Sequence, residues 1–267
     1  MQLRLNISPC PNDTFMFDAL ANGRIDTGNY RFRLEMDDIE RLNARVLRGE
    51  PHVSKISCAI LPLIWQSYGL LRSGAALGRG NGPLLVAREQ TELSGALKVA
   101  VPGEHTTANR LMSRLYPHIV DKTSLLFSQI AEAVAQGEFD AGALIHEGRF
   151  TYGRLGLTLL ADLGAEWERV TGLPLPLGGI VVSRELLPRV QHDVQELVGR
   201  SVAYALAHRD ASREFVRAHA RELSDEVTQQ HINMFVNDFS LDVGPDGQRA
   251  LRELTGLASE NIFIDSL

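Results

Sequence analysis

The sequence predicts an α/β protein built as two lobes around a cleft, with the chain crossing between the lobes twice. Three observations lead there. Short apolar runs alternate with amphipathic ones, as strands and helices do in layered α/β folds. Two extended apolar runs, near 84–88 and 178–183, divide the chain. The block between them is of domain size and carries strands and helices of its own. The expected organisation is a larger discontinuous lobe from 1–86 and 182–267, with a smaller lobe from 87–181 inserted into it. Two crossing strands then act as a hinge. Ligand is expected in the cleft, at strand C-terminal ends and helix N-termini.

Each element has its own signal. Leu3, Leu5 and Ile7 alternate, which predicts a first strand over 3–7. Pro9 and Pro11 follow, so no helix is expected there, and Asn12 or Asp13 is expected to cap the next one. Phe15, Met16, Ala19 and Leu20 form one helical face, which Gly23 ends. A second helix starts at Asp37 or Asp38 and buries Ile39, Leu42, Val46 and Leu47 before Gly49. Strands are expected at 53–57, 84–87, 98–101, 140–145 and 157–161, with a helical turn at Pro62 and a Gly-rich stretch over 73–83. Thr106 opens a helix through Leu111 and Leu115, and Ser128 caps another through Ile130 and Val134. After an extended run over 175–183, the chain reads as helical: 185–198 with Pro188 in its first turn, then 211–220, 225–236 and 246–254.

Composition narrows the class. Of 267 residues, 44% are hydrophobic and 22% charged, so a real core can form. The net charge of -6, with no Lys/Arg block, argues against a nucleic-acid partner. The N-terminus is not a signal peptide, because Arg4, Asn6 and two prolines break its apolar run. No segment approaches the roughly 18 apolar residues of a membrane span, so a cytoplasmic protein is expected. Cys10 and Cys58 read as two reduced thiols. No metal-ligand, Walker or GxGxxG spacing occurs; Gly78, Gly80 and Gly82 alternate without a following helix.

Four loops follow strand ends and converge on the predicted cleft: 8–14, 55–58, 103–108 and 146–148. Thr106 and Thr107 at a helix start offer hydroxyls and free amides to a carboxylate, or form a plain cap. Lys55 in an apolar strand either meets an anion or stands on the wet face of an edge strand. Ser57 lies on the same face as Lys55, two residues on. His146 ends the most apolar strand, where an imidazole serves as a general base or as a hydrogen-bonded structural group. Glu147 is a rival base. The other histidines are less well placed, with only His105 in a cleft loop. Cys10, before a helix start, is a weaker candidate nucleophile with no base implied by spacing.

Several of these segments together resemble one family. Ser8-Pro9-Cys10-Pro11-Asn12-Asp13-Thr14-Phe15 resembles the opening signature of the 1,4-dihydroxy-6-naphthoate synthases, and Lys55-Ile56-Ser57 resembles their KxS strand. The run from Ser73 to Ala87, then Thr106-Thr107-Ala108-Asn109, Ile145-His146-Glu147-Gly148 and Pro174 to Gly179 match in the same order. The resemblance implies a type II periplasmic-binding-protein-like fold without export. It implies a small-molecule carboxylate substrate, cyclic dehypoxanthine futalosine, cleaved to 1,4-dihydroxy-6-naphthoate and dihydroxyacetone, with no cofactor and no metal. The proton acceptor maps onto His146, and the substrate contacts onto Lys55, Ile56, Ser57, Thr106 and Thr107. Asn12, Asp13, Thr14 and Glu147 are secondary candidates. Cys58 departs from the family, which more often has an aromatic residue there, and a smaller side chain would loosen the pocket wall. The alternatives are chorismate dehydratase of the same pathway, or a carboxylate-binding protein without catalysis. No membrane partner is expected, and a homodimer is left open.

Overall fold

The computed structural model describes residues 1–93, 95–220 and 224–264. Its strands are β1 (Gln2–Ile7), β2 (Arg31–Met36), β3 (Val53–Ser57), β4 (Tyr68–Leu70), β5 (Ala76–Gly78), β6 (Leu84–Ala87), β7 (Val99–Val101), β8 (Lys122–Ser124), β9 (Ala141–Leu144), β10 (Thr158–Asp162) and β11 (Leu175–Ser183). They form two sheets. The first has the order β2-β1-β3-β11-β4, with β5 also paired to β11; the second runs β10-β6-β9-β7-β8. β1 is parallel to β2 and β3, and β11 returns antiparallel to β3 with Ile180 opposite Lys55. Strand β6 sits wholly in the second sheet and β11 wholly in the first. The chain therefore changes sheet at 79–83 and at 163–174, on the N-terminal side of the changes expected at 87 and 181. Residues 265–267, the end of the range expected for the larger lobe, lie outside the described residues.

Helices cover both sheets: α1 (Pro11–Ala21), α2 (Ile39–Leu47), α3 (Leu61–Ile64), α4 (Thr107–Leu115), α5 (Phe127–Ala135), α6 (Gly148–Thr151), α7 (Leu163–Thr171), α8 (Pro188–Ala207), α9 (Arg213–His219), α10 (Asp225–Phe235), α11 (Asp238–Leu241), α12 (Gly244–Thr255) and α13 (Ser259–Ile262). Helix α1 is the central one. Ten of its 11 residues are buried, not a single face, because α8, α9 and α10 all pack against it. Burying a Phe or Met side chain contributes roughly 1.5–3 kcal/mol, so Phe15, Met16 and Phe17 anchor α1 firmly.

Some boundaries differ from expectation. The Pro-rich turn does admit a helix: Pro11 is its first residue, where the missing N–H costs nothing, and Cys10 rather than Asn12 or Asp13 precedes it. Helix α5 starts at Phe127, so Ser128 lies inside its first turn and does not cap it. Leu47 is exposed, off the buried face of α2. Strand β2 alternates Arg31, Arg33 and Glu35 with Phe32, Leu34 and Met36 at the sheet edge. Strands β4, β5 and β8 are three residues long, too short to show a period.

Between the sheets the backbone of Gly82 crosses that of Gly164. A Cβ on Gly82 would lie 2.3 Å from Gly164 N and Cα, so only glycine permits the crossing.

Candidate active site

The loops named above converge. A cavity of about 700 Å³ opens between the two sheets. Among the sequence candidates, Asn12, Asp13, Lys55, Ile56, Ser57, Thr106, Thr107 and His146 line it. Thr14 and Glu147 do not: the Thr14 hydroxyl donates to Cys10 O, and Glu147 borders a separate crevice with Cys10 and Phe127. Cys58 is fully buried in the core, away from the cavity wall, and burial pushes its thiol up to about 12.

Lys55 stands on β3, which lies inside its sheet and not at an edge. Only 5% of the residue is exposed, and its Nζ meets Asp13 Oδ1 at 2.6 Å. Asp13 collects three more donors: Ser8 N at 3.2 Å, Ser8 Oγ at 2.7 Å and Asn12 Nδ2 at 3.0 Å. A buried ion pair survives when its remaining lone pairs are so filled. The strand opposite leaves room, because a Cβ on Gly178 would press Lys55 Cε at 3.0 Å.

Thr106 caps α4, accepting from Asn109 N at 3.3 Å and donating to Gly103 O at 2.8 Å. Thr107 donates its hydroxyl to Leu177 O at 2.7 Å, tying α4 to β11. Both hydroxyl hydrogens are thus turned to carbonyls. What faces a ligand is the first turn of α4, where the amides of Thr107 and Ala108 have no acceptor within their own helix and the helix dipole favours an anion. Ser57 Oγ accepts from Asn43 Nδ2 at 3.0 Å, so its own hydrogen remains free to donate. The charged lining comprises Lys55, Arg149 and Asp13, two cations to one acid. Arg149 is held by Asp162 at 2.8 Å and by Gly82 O. Both cations are thus paired, Lys55 with Asp13 and Arg149 with Asp162, and the feature of the wall that suits a carboxylate is the first turn of α4.

His146 follows β9 with φ +54°, the one non-glycine residue at positive φ among those described. Such a backbone costs on the order of 1–3 kcal/mol and persists only where surroundings impose it. Here Phe127 meets the ring edge-on at 4.8 Å between centroids, and Cys10 Sγ lies 3.4 Å from Nδ1. The ring keeps some accessible surface because it borders the cavity, yet protein surrounds it at depth. That burial lowers its basicity below the ordinary value, against the pull of Glu147, Asp38 and Asp13. His146 is therefore neutral at pH 7. Cys10 is no nucleophile, since burial first and Glu147 second raise its thiol far above the range of a reactive one.

Four wall residues escape sequence reasoning. His231, on α10, is fully buried and stacks on His146 at 6.1 Å, 14° from parallel. Asn81 is 2% exposed with both amide atoms unpartnered. Arg149 and Phe235 complete the set. His231 and Phe235 sit four residues apart in a helix, a spacing that reads only as core. His105, the other cleft-loop histidine, uses its backbone instead, donating to Glu40 and accepting from Asn43 across the cleft. Among the described residues no cluster of three or more His, Cys, Asp or Glu is arranged to hold a metal, and no helix is long and apolar enough to cross a membrane.

The sequence profile of the menaquinone biosynthesis family matches residues 3–260. The chain is 49% identical over 252 residues to the 1,4-dihydroxy-6-naphthoate synthase of Thermus thermophilus, covering 94% of this chain and 92% of that one. It is 43% identical over 271 residues to the enzyme of the same name from Streptomyces coelicolor, covering 99% and 95%. Among solved structures, an Archaeoglobus fulgidus protein superposes with a TM-score of 0.90 at 34% identity, covering 95% of each chain. A Candida albicans protein with the generic periplasmic binding protein fold superposes at 0.68 with 12% identity, covering 97% and 91%, and shows that this chain has that fold.

Proposed function

The chain belongs to the menaquinone biosynthesis family, and from that premise we propose that it is the lyase that converts cyclic dehypoxanthine futalosine into 1,4-dihydroxy-6-naphthoate and dihydroxyacetone. The observation that carries the reading is a neutral imidazole, His146, held on a positive-φ backbone in the wall of a cavity that also exposes the first turn of α4. In this reading the first turn of α4, at Thr106 and Thr107, holds the substrate carboxylate. Ser57 donates to the substrate from the opposite lobe, and Lys55 with Ile56 shapes that wall while Asp13 balances its charge. His146 takes a proton from the substrate, and formation of the aromatic ring drives the fragmentation. Closure of the lobes excludes water and fixes the geometry. A single placed base is worth about 10²–10⁴-fold in rate. The lobes, as proposed, are the two sheets with their covering helices.

The test is turnover. Purified protein is incubated separately with cyclic dehypoxanthine futalosine and with chorismate. Formation of 1,4-dihydroxy-6-naphthoate from the first supports the reading. Consumption of chorismate alone would reassign the chain to the dehydratase of the pathway.

A further inference from the structure

A carboxylate has only acceptor oxygens, so every hydrogen-bond chain that ends on Asp13 has a fixed direction. Ser8 Oγ donates its one hydrogen to Asp13 Oδ2 at 2.7 Å, and the Cys10 backbone N–H donates to Ser8 Oγ at 3.4 Å. A second chain reaches a histidine: Asn12 Nδ2 donates to Asp13 Oδ1 at 3.0 Å, which turns Asn12 Oδ1 towards His231 Nε2 at 2.9 Å. Nε2 of His231 therefore carries the hydrogen. Its Nδ1 has a bare lone pair, sealed from solvent and without a partner on the cavity wall. Buried acceptors are rarely left unpaired. Burial keeps both imidazoles neutral.

We propose that Asp13 is a positioning residue that, through Asn12, fixes the His231 imidazole as a lone-pair acceptor, and that His231 Nδ1 receives a hydroxyl of the substrate beside His146. A lone pair repels a carboxylate and accepts only a donor. This sorts the cavity into a carboxylate end at α4 and a hydroxyl end at the paired histidines. The hydroxyl assignment rests on the proposed reaction, whose product dihydroxyacetone carries such groups.

The first test needs no substrate. Imidazole ¹⁵N NMR of the wild-type protein at neutral pH, assigned with His146→Ala and His231→Gln, reports each tautomer. The expected result is Nε2–H for His231; the opposite tautomer, or a doubly protonated His231 ring, overturns the proposal. Asn12→Ala is expected to release that tautomer, and an unchanged His231 tautomer in Asn12→Ala would overturn the positioning chain. The second test is kinetic. His231→Gln retains an N–H towards Asn12 and loses the Nδ1 acceptor, so kcat/KM should fall about tenfold. Undiminished kcat/KM overturns the substrate contact. If the wild-type protein does not turn over at all, the reaction has been misassigned, and the NMR result still decides the tautomers.

Discussion

Lys55 Nζ and Asp13 Oδ1 lie 2.6 Å apart with side chains 7% and 0% exposed, a buried ion pair that joins the central strand of one sheet to its central helix. Removing one partner of such a pair strands a charge and costs about 3–5 kcal/mol. The two deletions should not be equal. Lys55→Met leaves the carboxylate with three hydrogen-bond donors from Ser8 and Asn12. Asp13→Asn leaves the ammonium with no other acid in ion-pair distance among the described residues. Urea unfolding should show both variants destabilised, Asp13→Asn the more so. Wild-type stability in either would contradict the pairing.

Much of this arrangement was legible in the sequence, and its limits are physical. Local signals carried well: Thr106 caps α4, Asp38 caps α2, and Pro188 opens α8 as their spacing requires. Lys55 stood out as a cation in an apolar strand. Its partner did not, because Asp13 lies 42 residues away and meets it only when the sheet forms. The same holds for Cys10 with His146, separated by 136 residues, and for Asn12 with His231, separated by 219. A buried histidine inside an amphipathic helix looks like core until the opposing wall is known. Asn81, in a Gly-rich run, has no periodic signal at all.

In the proposed reaction the pH dependence of kcat/KM follows from the state of His146. A base must be neutral to accept a proton, so activity is lost as pH falls through its pKa. Burial places that pKa below 6.5, so the acid limb should lie below 6.5. The groups acting on the ring are Glu147, Asp38 and Asp13, which raise it, and Lys55, which lowers it; His231 is stacked on it and Cys10 hydrogen-bonded to it. Glu147→Gln removes the largest raising charge, and the limb should move to lower pH. A limb above pH 7, or a shift upward in the variant, would refute the assignment.

Gly82 lines the cavity where the chain passes between sheets, and its backbone touches that of Gly164. Gly82→Ala would force the two backbones apart. Overpacking of this kind costs typically about 1–3 kcal/mol. It would also shift Gly82 O, which holds Arg149. Denaturant unfolding should show that loss of stability, and kinetics should show a raised KM. A variant as stable as wild type would mean that the crossing is loose.

The most direct test compares wild-type protein and His146→Ala on cyclic dehypoxanthine futalosine, with 1,4-dihydroxy-6-naphthoate followed by chromatography. Robust product from the wild type and a loss of about 10²–10⁴-fold in the folded variant is the predicted result. Equal turnover by the two would contradict the role of His146, and no product from the folded wild-type chain would contradict the reaction itself.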